Sequence, residues 1–274
     1  MSIDVYMEAT IAPLGSAERG KAVVAWFEAA LSGPLADLVW QEERAEAGVH
    51  TRTSVWPSEG KRRIQMPHLG RNRDRLSAEL AKSPKGVITE FYGDGTLGRV
   101  QCSYLPVEGE WSKFAVALEV GSSGFSDSVQ CASLVGFLTQ ALDDLNPIFA
   151  RIESNVFSDR TNIEAVLNRD LDESLPEGRQ FLRGYAWVTV CPGELVERLG
   201  GATALSASRA FHRVVPLGSG GVLLQASETL AGYTDQSMER VFTVLAPVLP
   251  KGEPHANPAH PDVRFVPRDA RQAC

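Results

Sequence analysis

The alternation of apolar and polar positions begins near the N-terminus. "IDVYMEATIA" sets Ile3, Val5, Met7 and Ala9 on one side, which predicts a first strand. The period then changes. In "SAERGKAVVAWFEAALSG", Val23, Phe27 and Leu31 recur at helical spacing from Ser16, and Gly33 with Pro34 stops the run. From Gln41 to Arg75 the pattern weakens, and "GKRRIQMPHLGRNRDR" reads as a loop or edge strand leading into a helix near Arg73–Lys82. "GVITEFYGDGTLGRVQCSYLPV" reads as two strands turning at Asp94-Gly95, with "SKFAVALEVG" as a third antiparallel strand. "DSVQCASLVGFLTQALDDLNP" predicts a helix capped by Asp127 and ended by Pro147, with Cys131, Leu134, Val135, Leu138, Leu142 and Leu145 on one stripe. "IFARIES" predicts one more short strand.

The polar, acidic stretch "SDRTNIEAVLNRDLDESLPEGRQF" reads as a linker with a short helix or as a surface excursion. Beyond it the grammar repeats in shorter form. "YAWVTVCP" predicts a strand and "GELVERLGG" a glycine-capped helix. "AFHRVVPLGSGGVLLQAS" predicts a hairpin turning at "GSGG", and "DQSMERVFTVLAPVL" an amphipathic helix. In "YAWVTV", Ala186, Val188 and Val190 form an apolar side. Tyr185, Trp187 and Thr189 form a side suited to a partly covered sheet face. The expected fold is α+β, an antiparallel sheet or sheets with helices packed on one face. It is read as one domain over 1–250, or as two pseudo-related, intimately packed halves over 1–155 and 180–250. The proline-rich tail, 251–274, is expected to be extended or partly disordered.

Composition narrows the class. The 274 residues are 43% hydrophobic and 22% charged, enough for a sizeable core in a globular chain. A formal net charge of −7 does not suit a protein built to coat nucleic acid. No run approaches the ~20 apolar residues of a membrane helix. The start lacks the basic and continuous apolar regions of a signal peptide, so a cytoplasmic location is expected. Cys102, Cys131, Cys191 and Cys274 show no metal or disulfide spacing and are read as free thiols.

Candidate chemistry is sparse. Cys191, before Pro192 at the start of a helix, is either a nucleophile with a lowered pKa or a small buried filler. In the enzymatic version, His212 and Asp94 converge on it. His255, His260 and Asp262 are metal-ligand types without metal-site spacing. "DLDES" carries a DxD pattern in Asp170, Asp172 and Glu173. The same acids make a docking surface for a basic partner. The basic stretch Lys61 to Arg75 is a phosphate site or a solvated loop, and "GSSGFSDS" puts Ser126 before a helix, as an anion site or a cap. Neither glycine-rich segment matches a phosphate loop, and no hydrolase elbow or HExxH occurs. No cofactor and no metal are expected. Trp26 and Trp187 fall in the core pattern. Trp40, Trp56 and Trp111 lie in polar or loop surroundings and suit partner anchors.

The second half resembles a bacterial family, the type VI immunity proteins, formerly a domain of unknown function. The likeness covers 184–252, about a quarter of the chain. It lies in "GYAWVTVCPGELVERLGG", in the hairpin "VVPLGSGGVLLQAS" and in "VFTVLAPVLPKG", in matching order. The resemblance implies a non-enzymatic antitoxin that binds and blocks a cognate toxin delivered between bacteria. Asp170, Asp172, Glu173, Trp40, Trp56 and Trp111 are then the expected contacts. The other readings are a small-molecule-binding protein or enzyme with a pocket between sheet and helices, and a scaffold or homodimer joined through an open sheet edge.

Overall fold

The computed structural model describes residues 2–44, 48–60, 62–121, 124–154, 159–256 and 263–273, with backbone only for 2–4. Lys61, Ser122, Ser123, His260, Asp262, Cys274 and the side chain of Ile3 lie outside the described residues. The chain runs β1 (Ser2–Ile11), α1 (Ser16–Ser32), α2 (Ala36–Glu43), β2 (His50–Trp56), β3 (Ile64–Pro67) and α3 (Leu69–Leu80). It continues with β4 (Gly86–Tyr92), β5 (Thr96–Tyr104), β6 (Ser112–Gly121), α4 (Ser128–Leu142) and β7 (Phe149–Ser154). Short helices α5 (Asn162–Val166) and α6 (Leu171–Ser174) lead to β8 (Val188–Cys191), α7 (Gly193–Arg198), α8 (Gly201–Ala207), β9 (Arg213–Pro216), β10 (Val222–Gln225) and α9 (Asp235–Leu245).

All the strands join one ten-stranded antiparallel sheet in the order β3-β2-β4-β5-β6-β1-β7-β8-β10-β9. The fold is α+β, as the alternating periods predict. Helices α1 to α4 cover the first face. There Trp26 of α1, wholly buried, meets Phe114 of β6 at 5.7 Å and Phe137 of α4 at 5.1 Å between ring centroids. Arg19 of α1 is buried too, and donates to Ser112 Oγ and the Pro84 carbonyl. Asp127 caps α4, its carboxylate accepting from the amides of Val129 and Gln130.

Strand register sets what the second face holds. Side chains alternate across a strand, so Met7 and Ala9 take the first face, and Glu8 and Thr10 the second. Glu8 lies opposite Arg151 of β7, and Lys113 of β6 lies opposite Thr10. Glu8, Arg151 and Lys113 are all buried. Arg151 Nε lies 2.7 Å from Glu8 Oε1, and Lys113 Nζ lies 3.4 Å from Glu8 Oε2. Arg151 also reaches Glu153 at 3.0 Å, and Lys113 pairs with Asp159.

The acidic stretch read as a linker or surface excursion is built into the interior in part, at Thr161, Ile163, Glu164, Val166, Ser174 and Leu175, while Asp170, Asp172 and Glu173 stay exposed. Thr161 and Glu164 form a capping box at the start of α5, each side chain accepting from the other's amide. Glu164 is fully buried and takes Arg183 at 2.7 and 2.9 Å, and Arg183 also donates to Thr10 Oγ1 at 2.7 Å. The segment therefore sits on the second face, over the centre of the sheet. It also corrects the reading of "YAWVTV". Tyr185, Trp187 and Thr189 are as buried as the apolar side, because α5, α9 and the tail cover them. The described tail residues run extended against this half. The Val266 amide donates to Tyr185 Oη at 2.9 Å, and Arg264 pairs with Asp235 of α9 at 2.8 Å. Hydrogen bonds from Arg271 hold the Asp269 carboxyl down to about 2.

Two predictions follow from the charged centre. Removing one member of a buried ion pair strands the others, so Glu8→Ala lowers folding stability by about 3–5 kcal/mol in urea unfolding. Burial alone raises the Glu164 carboxyl, but Arg183 and the Thr161 amide outweigh it and hold it below its ordinary value of 4.5. A lowered folded-state pKa stabilises fully above that value, and the stabilisation is lost as pH falls through the folded pKa. The stability gap between the native chain and Glu164→Gln is therefore wide at pH 7 and narrows below the ordinary carboxylate range. A gap independent of pH excludes the assignment.

Candidate functional site

Trp40, Trp56, Trp111 and the acids Asp170, Asp172 and Glu173 do not come together as one patch. Trp40 belongs to α2 and is 48% exposed, with the Arg44 guanidinium 4.4 Å above its ring. Helix α2 packs on the first face, where Thr51 donates to Glu42. Trp56 ends β2 and points to the second face, 41% exposed. Trp111 is half-buried, in a small cluster with Leu105, Ile148, Leu175 and Leu171. Its ring is thus part of a packed group, because the chain before β6 folds against α6. Leu171 brings the exposed acids Asp172 and Glu173 of that helix beside this cluster, and Asp170 pairs with Arg160.

An accessible surface lies on the second face of β2, β4 and β5. Register puts Arg52, Ser54 and Trp56 of β2, Ile88, Glu90 and Tyr92 of β4, and Arg99, Gln101 and Ser103 of β5 on this side. Most stay half-exposed, whereas the first-face residues Val87, Phe91 and Val100 are sealed. Trp56, Lys85, Gly86, Ile88, Gln101 and Ser103 border a mostly apolar pit of about 440 Å³. A Cβ at Gly86 would stand 3.5 Å from the Trp56 ring, in ordinary contact with it. The Arg63 guanidinium lies 4.9 Å over Trp56. Next to the pit, Arg52 donates to Tyr92 Oη at 2.8 Å and to Glu90 at 3.3 Å, and His50 stacks on Tyr92 with centroids 5.6 Å apart. Burial and the Glu90 carboxylate together raise the Tyr92 hydroxyl, so it stays a donor at neutral pH. This surface presents a pit, aromatic area and positive charge, and the weak pattern over 41–75 gave no sign of it.

The enzymatic constellation does not form. Cys191 is fully buried, and burial pushes its thiol up to about 12, far from a nucleophile's thiolate. Asp94 sits at the β4–β5 turn and His212 just before β9, with six strands between β4 and β9 in the sheet. His255 donates its amide to the Val166 carbonyl. Among the described residues no group of His, Cys, Asp and Glu is arranged to hold a metal ion. Among them, too, no single helix is long and apolar enough to cross a membrane.

No family model matches the chain, and no curated protein matches it. No family model thus bears out the resemblance of 184–252 to the immunity family. Among solved structures, the chain is similar to the Pseudomonas aeruginosa T6SS protein PA0821. The TM-score is 0.58 at 14% identity, over 99% of this chain and 80% of that one. At that identity the likeness establishes a shared fold.

The burial of Cys191 has a direct check. In a chain carrying it as the sole cysteine, a thiol reagent at pH 8 labels it only at the rate of unfolding. Rapid stoichiometric labelling of the native chain would return the nucleophile reading.

Proposed function

We propose that this chain is a type VI immunity protein, an antitoxin that binds and neutralises a cognate secreted toxin in the cytoplasm, without chemistry of its own. The observation that carries the reading is the fold shared, over 99% of the chain, with a T6SS protein of Pseudomonas aeruginosa. The immunity-like segments of 184–252 supply its direction. Binding needs a rigid scaffold and a complementary surface. The continuous sheet provides the first, and the aromatic second face of β2, β4 and β5 provides the second.

The acids of α6 serve as a steering patch. Asp172 and Glu173 are exposed, and Trp111 lies in the cluster beside them. Charges at the rim of an interface act mainly on the rate of encounter. Trp56 is the anchor among the three tryptophans, because it borders a pit that an inserted side chain can fill.

The reading is tested by co-expression with the product of the adjacent gene. The two proteins are expected to co-purify, and the complex to relieve the toxin's growth arrest. In surface plasmon resonance, the double variant Asp172→Lys/Glu173→Lys slows association by roughly 10-fold at low salt, with dissociation nearly unchanged. Absence of any complex removes the immunity reading. Unchanged association removes the steering role of α6.

A further inference from the structure

The whole chain is acidic at −7, yet the second face of β2, β4 and β5 carries the opposite sign. Arg52, Arg63, Lys85 and Arg99 lie on or border it, against Glu90 on β4 and Glu119 at the far end of β6. Glu90 is already engaged by Arg52 and by the Tyr92 hydroxyl at 2.5 Å. The cations on the pit side are less satisfied. Lys85 is exposed at the pit's rim, and Arg63 rests on Trp56 with one hydrogen bond, to Ser54. Arg99 Nε is enclosed and finds no acceptor among the described residues.

We infer that this face receives an acidic segment of a protein partner, which seats one apolar side chain in the pit beside Trp56 and lays carboxylates against Arg63, Lys85 and Arg99. The inference rests on the proposed toxin binding and adds to it the surface used and the chemistry of the partner. The pit supplies the apolar anchor site. An inserted side chain meets Trp56 and Ile88 and leaves water behind, which is where binding energy concentrates. The cations supply orientation, since guanidinium groups pair with carboxylates through two parallel hydrogen bonds. A basic segment is disfavoured here by the same charges, and a wholly apolar one leaves Arg63 and Lys85 without a carboxylate.

The experiment is calorimetric titration of the full chain with the product of the adjacent gene, between 50 and 500 mM salt. Two variants probe the face without touching its core, Arg63→Glu/Lys85→Glu for charge and Ile88→Asp for the pit. Thermal melts check that each stays folded. Each variant is expected to weaken binding by at least ~10-fold. The charge variant is also expected to flatten the dependence of affinity on salt. If the native chain binds and both variants bind equally well, this face is not the interface, while the immunity reading stands. If only the charge variant binds as tightly as the native chain, the acidic segment is excluded while the pit remains the anchor site. If the native chain does not bind at all, the proposed function fails and this inference falls with it.

Discussion

The carboxylate of Glu8 lies buried in the central strand, between the guanidinium of Arg151 and the ammonium of Lys113. A charge in that position is tolerated only when its partners are present and held. Those partners come from the strands on either side, β6 from the first segment and β7 from the one leading into the second. The sheet can close through β1 only if both arrive in register. A slip of one residue in either strand would turn its cation to the apolar face and cost Glu8 one of its two partners.

The same constraint explains why a polar stretch folds inward. The charges at the centre of the second face need a cover that can hydrogen-bond. An apolar helix would leave the Thr10 hydroxyl without the donor that Arg183 supplies. The segment around α5 meets that need with Arg183, which joins Glu164, Thr10 and the Asp159 carbonyl. Beyond it, α9 and the tail seal the second half with aromatic contacts such as Tyr185 against Phe242. The cover does not extend over β4 and β5. The molecule is thus closed over one half of the sheet and accessible over the other, and the accessible half is where surface chemistry is available to a partner.

How far the pattern could be read varies from element to element. The β4–β5 hairpin, the Asp127-capped α4 and the turn between β9 and β10 are local structures. Their signals sit within a few residues of one another, and each forms where its residues predict. The end of helix α2 and strand β2 gave a weak signal because polar side chains dominate from Gln41 to Ser54. Each is buried through few apolar residues, Val39 of α2 and Val55 of β2, with Thr51 donating to Glu42 between them. Trp56 was legible as an aromatic in polar surroundings. Its place on a sheet face was not, since that depends on the register of β2 against β4. Trp111 looked exposed for the same reason. The residues that bury it are Ile148 and Leu175, far along the chain.

The alternation and helical periods by themselves determined the α+β class, the order of most elements and the apolar side of β1, because those depend on neighbours within a turn or a hairpin. They also limited Cys191 to a short apolar strand. Only the tertiary structure decided that Glu8, Lys113, Arg151, Glu164 and Arg183 are interior residues. In sequence each looks like any solvated charge, and a charge becomes interior only through partners that the chain brings from elsewhere. The open face was decided in the same way. Which side of a strand stays accessible depends on what the rest of the chain lays over it, and no local pattern encodes that.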